Sequence, residues 1–366
     1  LLIRLYLKET RKFLTFKKTE IMNINNKQLL LSIAFSAFFC TVTGQKQTQI
    51  VPGEIWPDTD GNHIQAHGGG IVKFGKTYYW YGEQRRKEAE ADTVYRYVSC
   101  YSSTDLMNWK FRRDAIKLSK PDTLKSRLVL ERPKVFYNAK TKKYVMYMHL
   151  DGNTKDSSLK YEFASVGVAV SSKPEGPFTF VKSFRPLGKE SRDIGQFIDD
   201  DGSAYLIFES RPTMGFYIVK LSDDYLSVEK EIAFIQSPLE GGALVHYRGL
   251  YYIVASALTG WNPNPNKVAS APSLSGPWSE FTDIAPPETK TYSSQSTYLL
   301  KVTGTKDTTI IFMADQWNPR AQWNSRYLWM PVEIANGKLW IPEPRPWTIN
   351  VKTGLHSFIT SRDKSK

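Results

Sequence analysis

The chain has 366 residues, 41% hydrophobic and 13% aromatic, which suffices for one large core or two domains. Its net charge of +13 does not mark a nucleic-acid binder: residues 1–48 hold eight Lys/Arg against two Glu, and the remaining surplus is scattered without a run of five or six basic residues. There is no Gly-rich phosphate loop and no Gly-x-Ser-x-Gly elbow, and five dispersed histidines do not outline a zinc site.

The first predicted element is a leader. Met22, Lys27, the apolar stretch from Leu29 to Cys40 and the small residues Thr41 to Gly44 follow the plan of a secretory signal. Residues 1–21 read as an upstream extension, and cleavage is expected between Thr41 and Gln49. The apolar stretch is short for a membrane span. Cys40 offers the alternative of a lipid anchor. Without the leader, Cys100 is the only cysteine, so no internal disulfide is expected, and a periplasm or cell surface fits.

Residues 49–356 read as one domain and 357–366 as a polar tail. Within the domain a polar turn followed by an aromatic or β-branched run occurs five times, starting at Lys73, Lys140, Asp200, Tyr247 and Thr305. Each copy has the pattern of a hairpin entering a strand. Their spacing falls in the range that signals repeat architectures, so the expected fold is all-β, a five-bladed β-propeller. Further alternating runs, Tyr95–Tyr101, Val166–Val170, Gly215–Leu221, Tyr251–Ala255 and Tyr327–Val332, supply more strands. Ser-rich turns that lead to Trp109, Phe178 and Trp278 mark outer blade strands.

Four acidic residues stand in largely uncharged or glycine-rich segments beside predicted inner strands: Glu83, Glu131, Asp193 and Glu240. In a propeller such positions converge on the axis, where carboxylates bind sugar hydroxyls and do acid–base work. The structural alternative is a carboxylate pinned by a neighbour, such as Glu131 by Arg132 or Asp193 by Arg192.

The sequence resembles glycoside hydrolase family 43, a family of five-bladed propeller enzymes, and is most similar to its exo-β-1,3-galactanase branch (subfamily 24). The resemblance rests on Ala66-His67-Gly68-Gly69-Gly70-Ile71, Tyr79-Trp80-Tyr81-Gly82-Glu83, Tyr101-Ser102-Ser103-Thr104-Asp105-Leu106 with Trp109, Glu131-Arg132-Pro133-Lys134-Val135, Ser191-Arg192-Asp193, Leu239-Glu240-Gly241-Gly242, Thr259-Gly260-Trp261-Asn262-Pro263-Asn264 and Ser294-Gln295-Ser296-Thr297. Their common order over residues 50–350 carries it. It implies an exo-acting, inverting hydrolase that releases galactose from β-1,3-galactan. Glu240 matches the general acid, and Glu131 a carboxylate that tunes the reactive sugar. Gln295 matches the residue that holds the attacking water, because the first-blade segment around His67 lacks the carboxylate that serves as base elsewhere in the family. Glu131 is the other candidate for the base. Glu83, Asp193, Tyr161 and Thr259 match sugar-binding positions, with Trp261, Trp317 and Trp323 as stacking candidates.

An inverting site separates its catalytic groups by roughly 6.5–9.5 Å, so Glu240 and Gln295 are expected to face each other at that spacing. No cofactor is required. A structural calcium ion on the axis is compatible with the family, although no dedicated acidic loop for one stands out. The expected partner is a galactose-containing glycan, and the expected state a monomer. Another family 43 specificity (β-galactofuranosidase or α-L-arabinofuranosidase) and a non-catalytic sugar-binding propeller are the competing readings.

Overall fold

Each of the five repeated turns joins the first two strands of an antiparallel sheet in the computed structural model, which describes residues 46–360. The expected signal and Cys40 lie outside the described residues, as do residues 361–366. Blade 1 contains β1 (His67–Phe74), β2 (Thr77–Glu83), β3 (Tyr95–Ser103) and β4 (Lys110–Ser119). Blade 2 contains β5 (Val129–Asn138), β6 (Lys143–Asp151), β7 (Ser165–Ser171) and β8 (Thr179–Phe184). Blade 3 contains β9 (Ile194–Ile198), β10 (Ala204–Ser210), β11 (Gly215–Leu221) and β12 (Val228–Gln236). Blade 4 contains β13 (Leu239–Tyr247), β14 (Leu250–Ala257), β15 (Lys267–Ala271) and β16 (Thr282–Asp283). Blade 5 has three strands, β17 (Gln295–Thr303), β18 (Thr308–Gln316) and β19 (Arg326–Pro331). The first strand of each blade packs beside that of the next, and β17 returns to β1. The fold is a five-bladed β-propeller.

Burial follows from this arrangement. The inner strand β5 lies between neighbouring blades and is buried along nearly its whole length. Such a strand reads as a continuous run rather than an alternation. The outer strand β12 exposes Glu229, Lys230 and Glu231, and charges on an edge oppose pairing with another chain. The Ser-rich turns link the third to the fourth strand in blades 1, 2 and 4.

The ring closes through the N-terminal segment. Ile50 exchanges both backbone hydrogen bonds with Trp347 (2.8 and 3.0 Å), and Gly53 N–H donates to the Tyr327 carbonyl of β19 (2.9 Å). The Tyr327 hydroxyl then accepts from Ala66 N–H and donates to the Ile64 carbonyl, both at 2.9 Å. Trp56, Trp80, Trp109 and Trp329 fill the seam between blades 5 and 1, with ring centroids 4.7–6.0 Å apart. Tilted and edge-on pairs of this kind add about 0.5–1.5 kcal/mol each beyond their burial. Both ends of the folded unit run slightly past the expected limits. Gln47 already exchanges hydrogen bonds with Asn108. A last strand, Leu355–Phe358, pairs Phe358 with Trp347, two residues beyond 356.

Candidate active site

The functional side chains cluster where the inner strands begin, and a local backbone device aims them. In β1, β5 and β13 the pairing register slips just after His67, Glu131 and Glu240. The next residue has positive φ in each case: Gly68 (58°), Arg132 (49°) and Gly241 (68°). In β17 the slip follows Ser296. A bulge of this kind turns the preceding side chain out of the strand's alternation. Gly68 is also required by space, since a Cβ there would lie 2.2 Å from Glu83 Oε1. Arg132 has no such freedom, and left-handed backbone costs a non-glycine residue about 1–3 kcal/mol. Its contacts offset this: N–H to Glu83 Oε1 (2.8 Å), Nη1 to the Ser296 carbonyl (2.8 Å) and Nε to Asp193 Oδ2 (2.7 Å). Asp193 is therefore paired with Arg132 of the adjacent blade, not with its neighbour Arg192.

The result is a cavity of about 310 Å³ at one mouth of the propeller. That is the lower end of the range for small-molecule sites, roughly 300–1,000 Å³. It brings together Glu83, Glu131, Asp193, Glu240, Gln295, Tyr161, Trp261 and Trp317. Glu83 ends β2, a second strand rather than an inner one, and pairs with Arg85. Thr259 does not line the cavity. It is exposed, and its hydroxyl is bound within its own loop to the Asn262 carbonyl and Asn264 Nδ2. Trp323 is 39% exposed and also lies outside the lining.

Glu131 is crowded by donors. Tyr161 donates to its Oε1 (2.8 Å), His149 Nδ1 lies 3.2 Å from Oε2, and Arg85 Nη2 lies 3.8 Å from Oε1. His149 is fully buried and contacts Asp151 Oδ2 through Nε2 (3.0 Å). Burial would discharge the imidazole, but Asp151 and Glu131 outweigh it and hold the ring protonated. Burial would likewise raise the Glu131 carboxyl, but His149, Arg85 and Tyr161 bring it well below the ordinary range. These donors favour the ionised form of Glu131.

Glu240 has the opposite environment. Burial and the nearby carboxylates Asp193 and Glu209 push it up to about 8, against the pull of Arg132 and Arg211. Oxygens of these three acids lie within 4.8 Å of one another. Arg211 bridges two of them, binding Glu209 through Nε and Glu240 Oε2 through Nη2 (2.8 Å). The uncharged sequence neighbours of Glu240 thus hide a counter-charge, which burial and the neighbouring carboxylates outweigh.

Gln295 does not stand across the funnel from Glu240. Its Nε2 donates to Glu240 Oε1 at 2.9 Å, and its Oε1 accepts from Trp317 Nε1 at 2.8 Å. The expected wide spacing is not met, because β13 and β17 belong to adjacent blades and their bulged starts lean together. His67 supplies no substitute for the missing first-blade carboxylate. It is fully buried, stacks on Tyr327 (4.8 Å) and contacts Asp315 through Nδ1 (2.9 Å).

Sequence reasoning missed His149, Asp151, Glu209, Asp315 and Lys134. Lys134 is fully buried and donates to the carbonyls of Gly68 (2.6 Å) and Gly69 (3.0 Å). Burial, aided by Arg132, lowers its ammonium to about 7. A hard cation needs oxygen ligands, and Lys134 already occupies the Gly68 and Gly69 carbonyls, so these two oxygens do not serve one.

The sequence profile of glycosyl hydrolases family 43 matches residues 66–324. The structure is similar to that of an exo-β-1,3-galactanase from Phanerochaete chrysosporium in complex with β-1,3-galactotriose (TM-score 0.77, 41% identity, 86% of this chain and 71% of that one). It is also similar to an exo-β-1,3-galactanase from Clostridium thermocellum (TM-score 0.76, 34% identity, 86% of this chain and 69% of that one). A shorter match, 42% identical over 72 residues, is to xylosidase/arabinosidase 43A of Humicola insolens, and spans 19% of this chain and 20% of that protein. The matched profile covers most of the propeller, including every residue that converges on the cavity, and the chain belongs to glycosyl hydrolases family 43.

Proposed function

We propose that the protein is an exported, exo-acting, inverting hydrolase that removes galactose from the end of β-1,3-galactan. The observation that carries this reading is the meeting, in one sugar-sized cavity, of a Glu240 crowded by the carboxylates of Asp193 and Glu209 with a Glu131 held by His149, Arg85 and Tyr161, surroundings that push the two carboxyls in opposite directions. Two acids driven apart in pKa are the usual basis for separate catalytic roles. Glu240 protonates the leaving oxygen. Glu131 stabilises positive charge on the sugar and is too weak a base to take a proton from water. Gln295 orients that water, which gives up its proton to solvent as its oxygen bonds to the anomeric carbon. Glu83, Asp193 and Tyr161 hold the terminal sugar, with Trp261 and Trp317 at its sides. The galactanase activity named for the structural relatives supports the substrate. Export rests on the leader's pattern alone. Among the described residues no helix is long and apolar enough to cross a membrane.

A panel of β-1,3-galactan, arabinan and an aryl galactofuranoside tests the reading. Galactose released as a monosaccharide from the first alone is the expected result. Preferential turnover of either other substrate would replace the specificity. The buried, fully engaged His67 favours one other reading, a sugar-binding propeller without catalysis. Binding of β-1,3-galactan with no release of sugar would establish that alternative.

The role of Glu131 has its own test. His149→Gln keeps a donor but removes the positive charge that holds Glu131 ionised. The carboxyl should then rise toward or above its ordinary value, since Arg85 and Tyr161 remain while burial and the nearby Glu83 oppose ionisation. Its ionised form, present in the native enzyme through the mildly acidic range, is then lost as pH falls. The acid limb of kcat/KM should move up by about two units, toward the ordinary carboxylate value, so activity falls about fourfold further near pH 4 than near pH 7. An unshifted acid limb would remove His149 from this role.

A further inference from the structure

The propeller has a second cavity, of about 340 Å³, lined by all five inner strands but sharing no residue with the catalytic one. The catalytic groups stand at the starts of these strands, whereas Lys73, Tyr137, Ile198, His246 and Lys301 stand at or near their ends. This is the opposite mouth of the axis. Lys134, which lines neither cavity, lies between the two levels, bonded to Gly68 and Gly69.

We infer that this mouth is a second carbohydrate site, which takes an uncharged sugar ring through Gln196, Tyr137 and Tyr298. Three polar groups there lack protein partners among the described residues. Gln196 is 2% exposed, and its amide is fixed because Nε2 donates to the Val135 carbonyl (2.6 Å). The Oε1 atom is left buried and unpaired at the inner end of the cavity. A buried acceptor without a donor is costly, and a ligand hydroxyl that reaches it recovers that cost. The hydroxyls of Tyr137 and Tyr298, both half-buried, can donate or accept. The faces of Phe197 and the two tyrosines supply the apolar surface that a sugar's C–H side needs.

Mixed charge argues against the other ligand classes. An anion would meet Asp200 and the acceptor-only oxygen of Gln196. A cation would meet Lys73 and Lys301 at the rim and Lys134 beyond the inner end. At the rim Lys301 pairs with Asp200 (2.9 Å), His246 Nδ1 lies 2.9 Å from Asp200 and 3.5 Å from Asp199, and Lys73 stands over the Tyr78 ring. What remains is a neutral ligand bearing hydroxyls. If the function proposed above holds, it is the galactosyl end of the same glycan, held on the face away from cleavage.

Glu240→Gln, which should bind without hydrolysis, allows the test. Calorimetric titration with β-1,3-galactobiose should give two equivalents per chain. The double substitution Tyr137→Phe/Tyr298→Phe in that background should reduce this to one. The same pair in the native enzyme should leave kcat/KM on a short aryl galactoside within about twofold, a change worth roughly 0.4 kcal/mol. A single equivalent before the double substitution, or a second equivalent that survives it, would overturn the inference. Neither result touches the catalytic reading, which the first equivalent and sugar release report separately. Parallel titrations with galactose and glucose decide whether the site prefers the galactosyl ring or takes any hexose.

Discussion

Glu240→Gln is expected to abolish release of galactose from unactivated β-1,3-galacto-oligosaccharides while leaving their binding largely intact. General acid catalysis is typically worth about 10²–10⁴-fold, and the full loss should appear in kcat where the leaving group is a poor one. An aryl galactoside with a good leaving group needs less proton donation and should lose much less. The amide has the same size and can still contact Gln295, and Arg211 keeps Glu209, so the fold should be retained. The native enzyme should carry the matching pH signature. Glu240 must hold its proton to act, and its carboxyl is raised to about 8, so activity should fall as pH rises through that value. This alkaline limb should vanish from the residual activity of the variant. A loss below tenfold on the oligosaccharide, or an unchanged alkaline limb, would transfer the acid's role elsewhere, with Glu209 next in line.

The fold was legible because each blade repeats one local event. The turns at Gly75, Thr141, Gly202, Gly249 and Lys306 all proved to join first to second strands. The first-strand residues of the site were legible for a related reason: Glu240-Gly-Gly and Glu131-Arg-Pro are local phrases with a functional side chain beside a backbone irregularity. Apart from Glu83, the second-strand residues were overlooked, although the same repeats contain them. The aromatic runs end in Gly82-Glu83, His149-Leu150-Asp151, Phe208-Glu209 and Ala314-Asp315, and Glu83, His149, Glu209 and Asp315 stand opposite or beside His67, Glu131, Asp193 and Gln295. Reading the end of each run as closely as its turn would have found them. What no local reading supplies is distance. Glu240 and Gln295 are 55 residues apart and 2.9 Å in contact, because consecutive blades bring the starts of their inner strands together. Arg211 reaches Glu240 in the same way, from the neighbouring blade.

That contact shapes the last prediction, which concerns the water. In the free site Gln295 Nε2 serves Glu240 Oε1, and Trp317 fixes the amide's other end. A bound substrate presents its glycosidic oxygen to Glu240, which then donates to that oxygen. The amide, still held by Trp317, is released from the acid and becomes free to orient water. On this account Gln295→Ala should lower turnover by about 10²-fold or more, the scale of misplacing one reactant. KM should change little, since the lost interaction matters mainly in the transition state. A second effect separates this from general damage. The amide N–H favours the ionised form of Glu240, so its removal should move the alkaline limb of kcat/KM upward rather than leave it in place. Trp317→Phe should reproduce part of the turnover loss by freeing the amide without deleting it. The first sugar released by the native enzyme should be α-galactose, observed by NMR before mutarotation, because attack by an oriented water inverts the β-linkage. Early β-galactose would exclude the scheme. Near-normal turnover in Gln295→Ala would exclude Gln295, and the strongly ionised Glu131 would then have to act as a base despite its environment.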